Sequence, residues 1–159
     1  MQQVSSKSTG SSREELREIC QSIRNIMERV LENTRTNSGK AGGDLVRGTC
    51  LYAAILLKQA LEKFAGCAVD IKGGDGLGDG GAMGQDGKLH GHYWLEGLTD
   101  QQEHFLADIT ADQFGNPPII LLWPEDSWAG YKAGDQMIVA AHVTETLEDV
   151  LKALDGSNK

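Results

Sequence analysis

Apolar residues recur every three or four positions near the N-terminus, and this spacing predicts an amphipathic helix with one buried face. Ser12 and Glu15 form a capping-box pattern, in which each residue satisfies an unpaired backbone donor of the other. We therefore expect the helix to run from Ser12 to about Glu32, behind a disordered polar tail over residues 1–11. The apolar face of this helix contains Leu16, Ile19, Cys20, Ile23, Met27 and Val30.

A second apolar segment, CLYAAILLKQALEKF, predicts the central helix of the domain. A polar loop over residues 33–44 precedes this segment, and either Asp44 or Thr49 is suited to cap the helix. We expect Cys50 in the first turn of this helix and Gly66 after its end as a C′ residue. Because the segment is apolar on more than one side, we expect it to be buried on several faces.

Alternation of apolar and polar residues predicts strands in the middle of the chain. A short strand contains Cys67, Val69 and Ile71, and residues 92–96 and 104–110 form two more strands joined by a polar turn. Paired as a hairpin, these two strands carry His92 and Asp108 on the same face, close enough for the carboxylate to orient the imidazole.

The C-terminal part of the chain predicts two further strands and a helix. The strands are expected over residues 119–123 and 137–143, with a loop over 125–135 between them, and Thr146 is expected to cap the last helix. The other histidines have no metal-ligand spacing and are interpreted as solvated or structural; they are His90, His104 and His142.

The segment between Gly73 and Gly87 contains eight glycines, which excludes a helix there. Its aspartates do not follow the spacing of a calcium-binding loop, and its glycines do not form a phosphate-binding motif. We interpret it as a mobile flap that borders a substrate cleft.

Composition narrows the classes of function. The chain has 159 residues, typical of one domain, and its net charge of −8 argues against nucleic acid and anionic membranes as partners. No apolar run is long enough to span a membrane, and the polar N-terminus is not a secretory signal. Three cysteines without CxxC spacing indicate neither a disulfide framework nor a zinc site. A cytoplasmic protein without cofactor or metal ion is therefore predicted.

The three cysteines are expected to differ in role. Cys20 and Cys67 fall on apolar faces and are predicted to be inert core thiols. Cys50 is predicted at a helix N-terminus, where unpaired N–H groups and the helix dipole favour a thiolate and could bind an oxyanion. Position alone also fits a small buried residue, so the case for a nucleophile depends on His92 and Asp108 downstream.

Three short motifs in this order resemble those of transglutaminase-like cysteine enzymes, a branch of the papain-like superfamily. They are G-T-C at residues 48–50, H-Y-W-L-E at 92–96 and D-I-T at 108–110. The resemblance covers about residues 47–115, and the length of the chain is similar to that of compact bacterial members. It implies an α+β papain-like core in one domain over residues 12–155. In that core a central helix carrying the cysteine packs on an antiparallel sheet, with helices flanking it at both ends of the chain.

By position the resemblance implies Cys50 as nucleophile, His92 as base and acid, and Asp108 as the orienting carboxylate. The implied activity is that of a thiol hydrolase or acyltransferase acting on an amide or peptide-type bond through a thioester, as in peptidases, amidases and deamidases. A peptide or protein is the implied substrate, and a second oxyanion donor is not identified. The alternative is a non-catalytic binding module on the same fold, which would recognise a partner through the glycine-rich segment.

Overall fold

A computed structural model of the chain describes the backbone of residues 9–38, 42–76 and 78–157, and the side chains of residues 13–29, 50–76 and 78–148. In this part of the chain the protein is α+β, with helices and antiparallel sheets, as predicted at that level. The helices are α1 (Thr9–Ser38), α2 (Gly42–Ala65) and α3 (Gln136–Ser157). The strands are β1 (Ala68–Gly74), β2 (Gly81–Met83), β3 (Leu89–His90), β4 (His92–Leu98), β5 (His104–Asp108), β6 (Ile120–Leu122) and β7 (Tyr131–Lys132), with a 3-10 segment at Ala111–Phe114.

The larger sheet is antiparallel and has the order β1-β4-β5-β6. Its register places Leu95 of β4 between Ile71 of β1 and Ala107 of β5, so apolar side chains of neighbouring strands lie side by side. Helix α2 packs against β1 and β4, and α1 packs against α2. The predicted burial of the central helix on several faces is confirmed by its buried residues Cys50, Leu51, Ala53, Ala54, Ile55, Leu57, Ala60, Leu61 and Ala65.

A smaller sheet with the order β3-β2-β7 forms part of the glycine-rich segment. Strand β2 lies inside the segment predicted to be a mobile flap, and it pairs on one side with β3 and on the other with β7. The backbones approach so closely that a Cβ on Gly74 would lie 2.2 Å from the carbonyl carbon of Gly80. Part of the segment is therefore sheet rather than loop, and glycine here permits close backbone packing. Its mobility stays a prediction.

Two arginines anchor α1 along β5. Arg13 is hydrogen-bonded to Glu103 at 2.6 Å and to Glu125, and its guanidinium lies 4.6 Å from the centre of the Trp123 ring. Arg24, further along the helix, donates two hydrogen bonds of 2.7 Å to Asp112. Planar guanidinium groups favour such paired contacts with carboxylates. The helix is thus held beside both the start of β5 and the segment that follows it.

Both N-terminal helices are longer than their patterns predict. Helix α1 begins at Thr9 rather than Ser12, and it ends at Ser38 rather than near Glu32, so residues 9–11 do not belong to a disordered tail. Residues 1–8, the rest of the predicted tail, lie outside the described residues. The segment after Glu32 is polar, but it contains no glycine or proline to stop a helix before Ser38.

Helix α2 begins at Gly42, so Cys50 lies about two turns inside it instead of in the first turn. The predicted caps, Asp44 and Thr49, also lie inside the helix. Residues 42–49 contain no proline, and glycine weakens a helix without preventing it, which is why the apolar run does not define the helix start. The C-terminal prediction is confirmed, since Gly66 has a φ of 65° and follows directly after Ala65.

The predicted strand over residues 137–143 is also wrong, because α3 begins at Gln136. The side chain of Asp135 accepts hydrogen bonds from the backbone N–H groups of Met137 (2.8 Å) and Ile138 (3.4 Å), and so caps the helix. Thr146, the predicted cap, lies inside α3. A short apolar run is compatible with the periodicity of a strand and with that of a helix, and the cap at Asp135 favours the helix. Among the described helices, none is both long and apolar enough to cross a membrane.

Candidate active site

The hairpin of β4 and β5 brings His92 and Asp108 together, as predicted. The Nε2 atom of His92 lies 2.9 Å from Oδ2 of Asp108. The exposed fraction is 1% for His92 and 2% for Asp108, so water screens this pair very little. The alternation of the two strands places both side chains on one face, and the hairpin register brings them into contact.

Asp108 accepts hydrogen bonds on both of its carboxylate oxygens. The hydroxyl of Tyr131 donates to Oδ2 at 2.7 Å, and the backbone N–H of Thr110 donates to Oδ1 at 3.0 Å. Burial by itself raises the pKa of Asp108, but the charge of His92 and these hydrogen bonds lower it overall. Burial and the negative charge of Asp108 raise the pKa of Tyr131, which keeps its phenol protonated as a donor. Asp108 is therefore an ionised carboxylate with its acceptor sites occupied.

The imidazole of His92 connects this carboxylate to the thiol of Cys50. Burial by itself lowers the pKa of His92, but the charge of Asp108 and side-chain hydrogen bonds with Asp108 and Cys50 raise it overall. The other ring nitrogen, Nδ1, lies 3.1 Å from Nε2 of Gln113. The ring of Phe114 meets the imidazole edge-on, with their centres 5.0 Å apart. The imidazole is thus held from several sides in a partly apolar setting.

The structure brings Cys50 to this histidine, although not from the helix start that the sequence predicts. The thiol is 4% exposed and lines a cavity of about 10 Å³ between α2 and the sheet, room for about one water molecule. Because Cys50 lies inside α2, its backbone N–H occupies the position of a donor within the helix. The predicted oxyanion contact from that N–H is therefore not available in this arrangement.

The other two cysteines are buried in the apolar core, as predicted. Burial raises the pKa of Cys20 to about 12 and that of Cys67 to about 11, so both remain protonated thiols at neutral pH. Their exposed fractions, 0% and 7%, lie on either side of the 4% of Cys50. The three thiols are therefore similar in burial and differ in their neighbours.

Trp94, the tryptophan of the H-Y-W-L-E motif, contacts a residue that is hydrogen-bonded to Asp108. The indole N–H of Trp94 donates to Oε2 of Glu96 at 2.9 Å, which links two side chains that share a strand face. The ring of Trp94 contacts the ring of Tyr131, with centres 5.1 Å apart. Trp94 thereby positions the phenol that donates to Asp108, and the spacing H-x-W-x-E has a structural reason beyond His92.

The segment that carries Gln113 and Phe114 is anchored to the turn between β2 and β3. The backbone N–H of Gln85 donates to the carbonyl of Phe114 at 3.0 Å. His90 stacks on Phe114 with ring centres 4.6 Å apart, and its Nε2 lies 3.0 Å from a carboxylate oxygen of Asp86. His90 therefore has a structural contact, in agreement with its predicted role. The glycine-rich segment contributes to the site by fixing these residues.

The start of the glycine-rich segment lines a cavity of about 190 Å³ with Tyr93 and the first turns of α3. Tyr93 also lines the small cavity beside Cys50, so one side chain separates the two spaces. Its hydroxyl is hydrogen-bonded to Nδ1 of His142, and burial together with the nearby Cys50 raises its pKa. The larger cavity thus lies next to the thiol, with Tyr93 between them.

Three side chains of the site are not among those that the sequence predicts. Gln113 and Phe114 follow closely after Asp108, and that proximity is a signal from which both could have been found. Tyr131 lies on the two-residue strand β7, inside the predicted loop, and no periodic pattern identifies it. Within the described residues, no group of three or more histidines, cysteines or acidic residues is arranged to hold a metal ion.

Comparison of the chain with known proteins gave no matching family model, no matching curated protein and no matching solved structure.

Proposed function

We propose that the protein is a cysteine hydrolase or acyltransferase of the transglutaminase-like type, with a papain-like core. The observation that carries this proposal is the buried contact of His92 with Asp108, together with the hydrogen bond of the same imidazole with Cys50. A thiol, an imidazole and an ionised carboxylate joined in this order can generate and use a thiolate. The packing of α2, which carries Cys50, against β1 and β4 supports the proposed core.

In the proposed reaction His92 either takes the proton of Cys50 or already holds it in a thiolate–imidazolium ion pair, and the thiolate attacks the carbonyl carbon of an amide. The new C–S bond forms as the carbonyl electrons move to oxygen, giving a tetrahedral oxyanion. When the oxyanion collapses, the C–N bond breaks, His92 protonates the leaving amine, and a thioester remains on Cys50. Water or a second amine then attacks the thioester and restores the thiol. Asp108 orients the imidazole and stabilises its charged form.

Alkylation with iodoacetamide tests the proposal, because it reports the reactivity of each thiol without a known substrate. At neutral pH we expect Cys50 to react at least about tenfold faster than Cys67, although Cys67 is slightly more exposed. His92→Gln should remove this difference, since glutamine retains a hydrogen-bonding group but cannot take the proton. Mass spectrometry of the digested protein assigns the label to each cysteine.

The burial of the site favours a second candidate, a binding module in which the same residues have only a structural role. Cys50, His92 and Asp108 are each at most 4% exposed, as core residues are. A module of this kind predicts that Cys50 is alkylated no faster than Cys20 and Cys67, and that His92→Gln changes none of the three rates. That result would reject the catalytic proposal.

A further inference from the structure

The proposed reaction needs hydrogen-bond donors at the carbonyl oxygen of the substrate, where negative charge develops. Residues at a helix start supply such donors because their backbone N–H groups have no partner within the helix. Cys50 lies about two turns inside α2, so its own N–H does not fill this role. The donor therefore has to come from another group near the imidazole.

The carboxamide of Gln113 is placed for this role. Its Nε2 lies 3.1 Å from Nδ1 of His92, and the same imidazole is hydrogen-bonded with Cys50. Nε2 of His92 is hydrogen-bonded to Asp108, so Nδ1 is the ring nitrogen left to exchange a proton with Cys50 and the leaving group. A carbonyl carbon bonded to the Cys50 sulfur has to lie beside that nitrogen, because His92 protonates the leaving group. The Gln113 amide is consequently within reach of the adjoining oxygen.

The backbone on both sides of Gln113 is fixed, which a preorganised donor requires. On one side, Asp112 is held by the two hydrogen bonds from Arg24 at 2.7 Å. On the other side, the carbonyl of Phe114 accepts a hydrogen bond of 3.0 Å from the backbone of Gln85. Gln113 itself is half-buried, so its amide is next to the site without being locked inside the core.

We propose that the side-chain N–H of Gln113 donates a hydrogen bond to the oxyanion formed when Cys50 attacks a carbonyl. This inference rests on the proposed function, and it assigns the donor that the nucleophile cannot supply from its own backbone. Before the substrate binds, the carboxamide contacts the imidazole; on attack it turns to the oxygen, while His92 holds the proton for the leaving group. Gln113 is then a catalytic residue, since it contacts the reacting atoms.

Two reagents separate this role from a mere positioning of His92. p-Nitrophenyl acetate acylates a thiol through a tetrahedral oxyanion, whereas iodoacetamide alkylates it at a saturated carbon and forms no oxyanion. We expect Gln113→Met, which preserves size and removes the donor, to lower the acylation rate of Cys50 by about 10²–10³-fold. The alkylation rate of Cys50 should fall far less than the acylation rate, because alkylation needs the His92 imidazole but no oxyanion donor. Gln21→Met, on an exposed position of α1, is the matched control and should change neither rate.

Gln113→Glu provides a second variant that preserves polarity and removes the N–H donors, so the test does not depend on one substitution being tolerated. It should also lower acylation far more than alkylation. An equal fall in both rates would overturn the proposal in favour of a positioning role, and two unchanged rates would overturn it outright. The proposed function fails separately: in that case Cys50 of the unmodified protein would show no His92-dependent reactivity with either reagent.

Discussion

The two sheets meet at one carboxylate oxygen, but they are built by different physical means. His92 on β4 and Tyr131 on β7 both contact Oδ2 of Asp108, at 2.9 Å and 2.7 Å. The sheet of β1, β4, β5 and β6 has strands of up to seven residues with buried apolar side chains. The strands β2, β3 and β7 have two or three residues each, and glycines allow their backbones to pack closely.

This difference separates the His92–Asp108 pair, on the larger sheet, from Tyr131, on the smaller one. In the larger sheet, burial of apolar neighbours fixes the register that brings His92 and Asp108 together. In the smaller sheet, backbone hydrogen bonds and close glycine contacts hold the strand that carries Tyr131, and the ring of Trp94 packs against its phenol. We therefore expect the larger effects from substitutions on β4 and β5, and smaller ones from substitutions on β2 and β7.

The largest effect is expected for Asp108→Ala. This substitution leaves the buried imidazole of His92 without its counter-charge and the hydroxyl of Tyr131 without its acceptor. Breaking a buried charge pair by removing one partner costs about 3–5 kcal/mol of unfolding free energy. Urea denaturation measures the loss, and Asp70→Ala, at an exposed position on β1, is the control. A loss no greater than that of the control would show that the pair is not an ionised, buried contact.

The difference in strand length between the two sheets explains which residues of the site the sequence predicts. Alternation over five or more residues identifies β4 and β5, and a hairpin in the observed register then places His92 and Asp108 on one face. The strand that carries Tyr131 has only two residues, too few for an alternation of apolar and polar positions to be recognised. Its position depends on pairing with β2, a contact between residues about fifty positions apart.

The start of α2 was mispredicted for a related reason. Apolar spacing marks the part of a helix that is buried, and Cys50 is where that spacing begins. The turns before it, from Gly42, have a different composition, and the apolar pattern does not define where the backbone becomes helical. The sequence therefore predicts the partners of Cys50 better than the environment of its backbone.

A smaller effect is expected for Tyr131→Phe, which removes one donor to Asp108 from the smaller sheet. The ring that contacts Trp94 is preserved, so the change isolates the hydrogen bond. Hydrogen bonds to charged groups contribute about 1.5–3 kcal/mol, and we expect a loss of unfolding free energy in that range. Tyr52→Phe, on the exposed side of α2, is the matched control. A loss equal to that of Asp108→Ala would mean that the two sheets contribute equally to the site.

The smallest effect is expected for Gly81→Ala, which tests whether close backbone packing holds the smaller sheet. Gly81 has a φ of 143°, and a Cβ there would lie 2.2 Å from the carbonyl oxygen of His90. Relief of this contact requires β2 to shift, with a cost of about 1–3 kcal/mol. Because β2 pairs with β7, the shift should also move Tyr131 and weaken its contact with Asp108.

Gly78→Ala is the matched control, since no atom lies within 4 Å of a Cβ at that position. A double-mutant cycle of Gly81→Ala with Tyr131→Phe then measures the coupling between the sheet and the site. If β2 holds Tyr131 in place, the two losses of unfolding free energy should sum to more than the loss in the double variant, because each substitution disturbs the same hydrogen bond. Strict additivity would instead mean that Tyr131 is held by Trp94 and the core, independently of the glycine-rich strands.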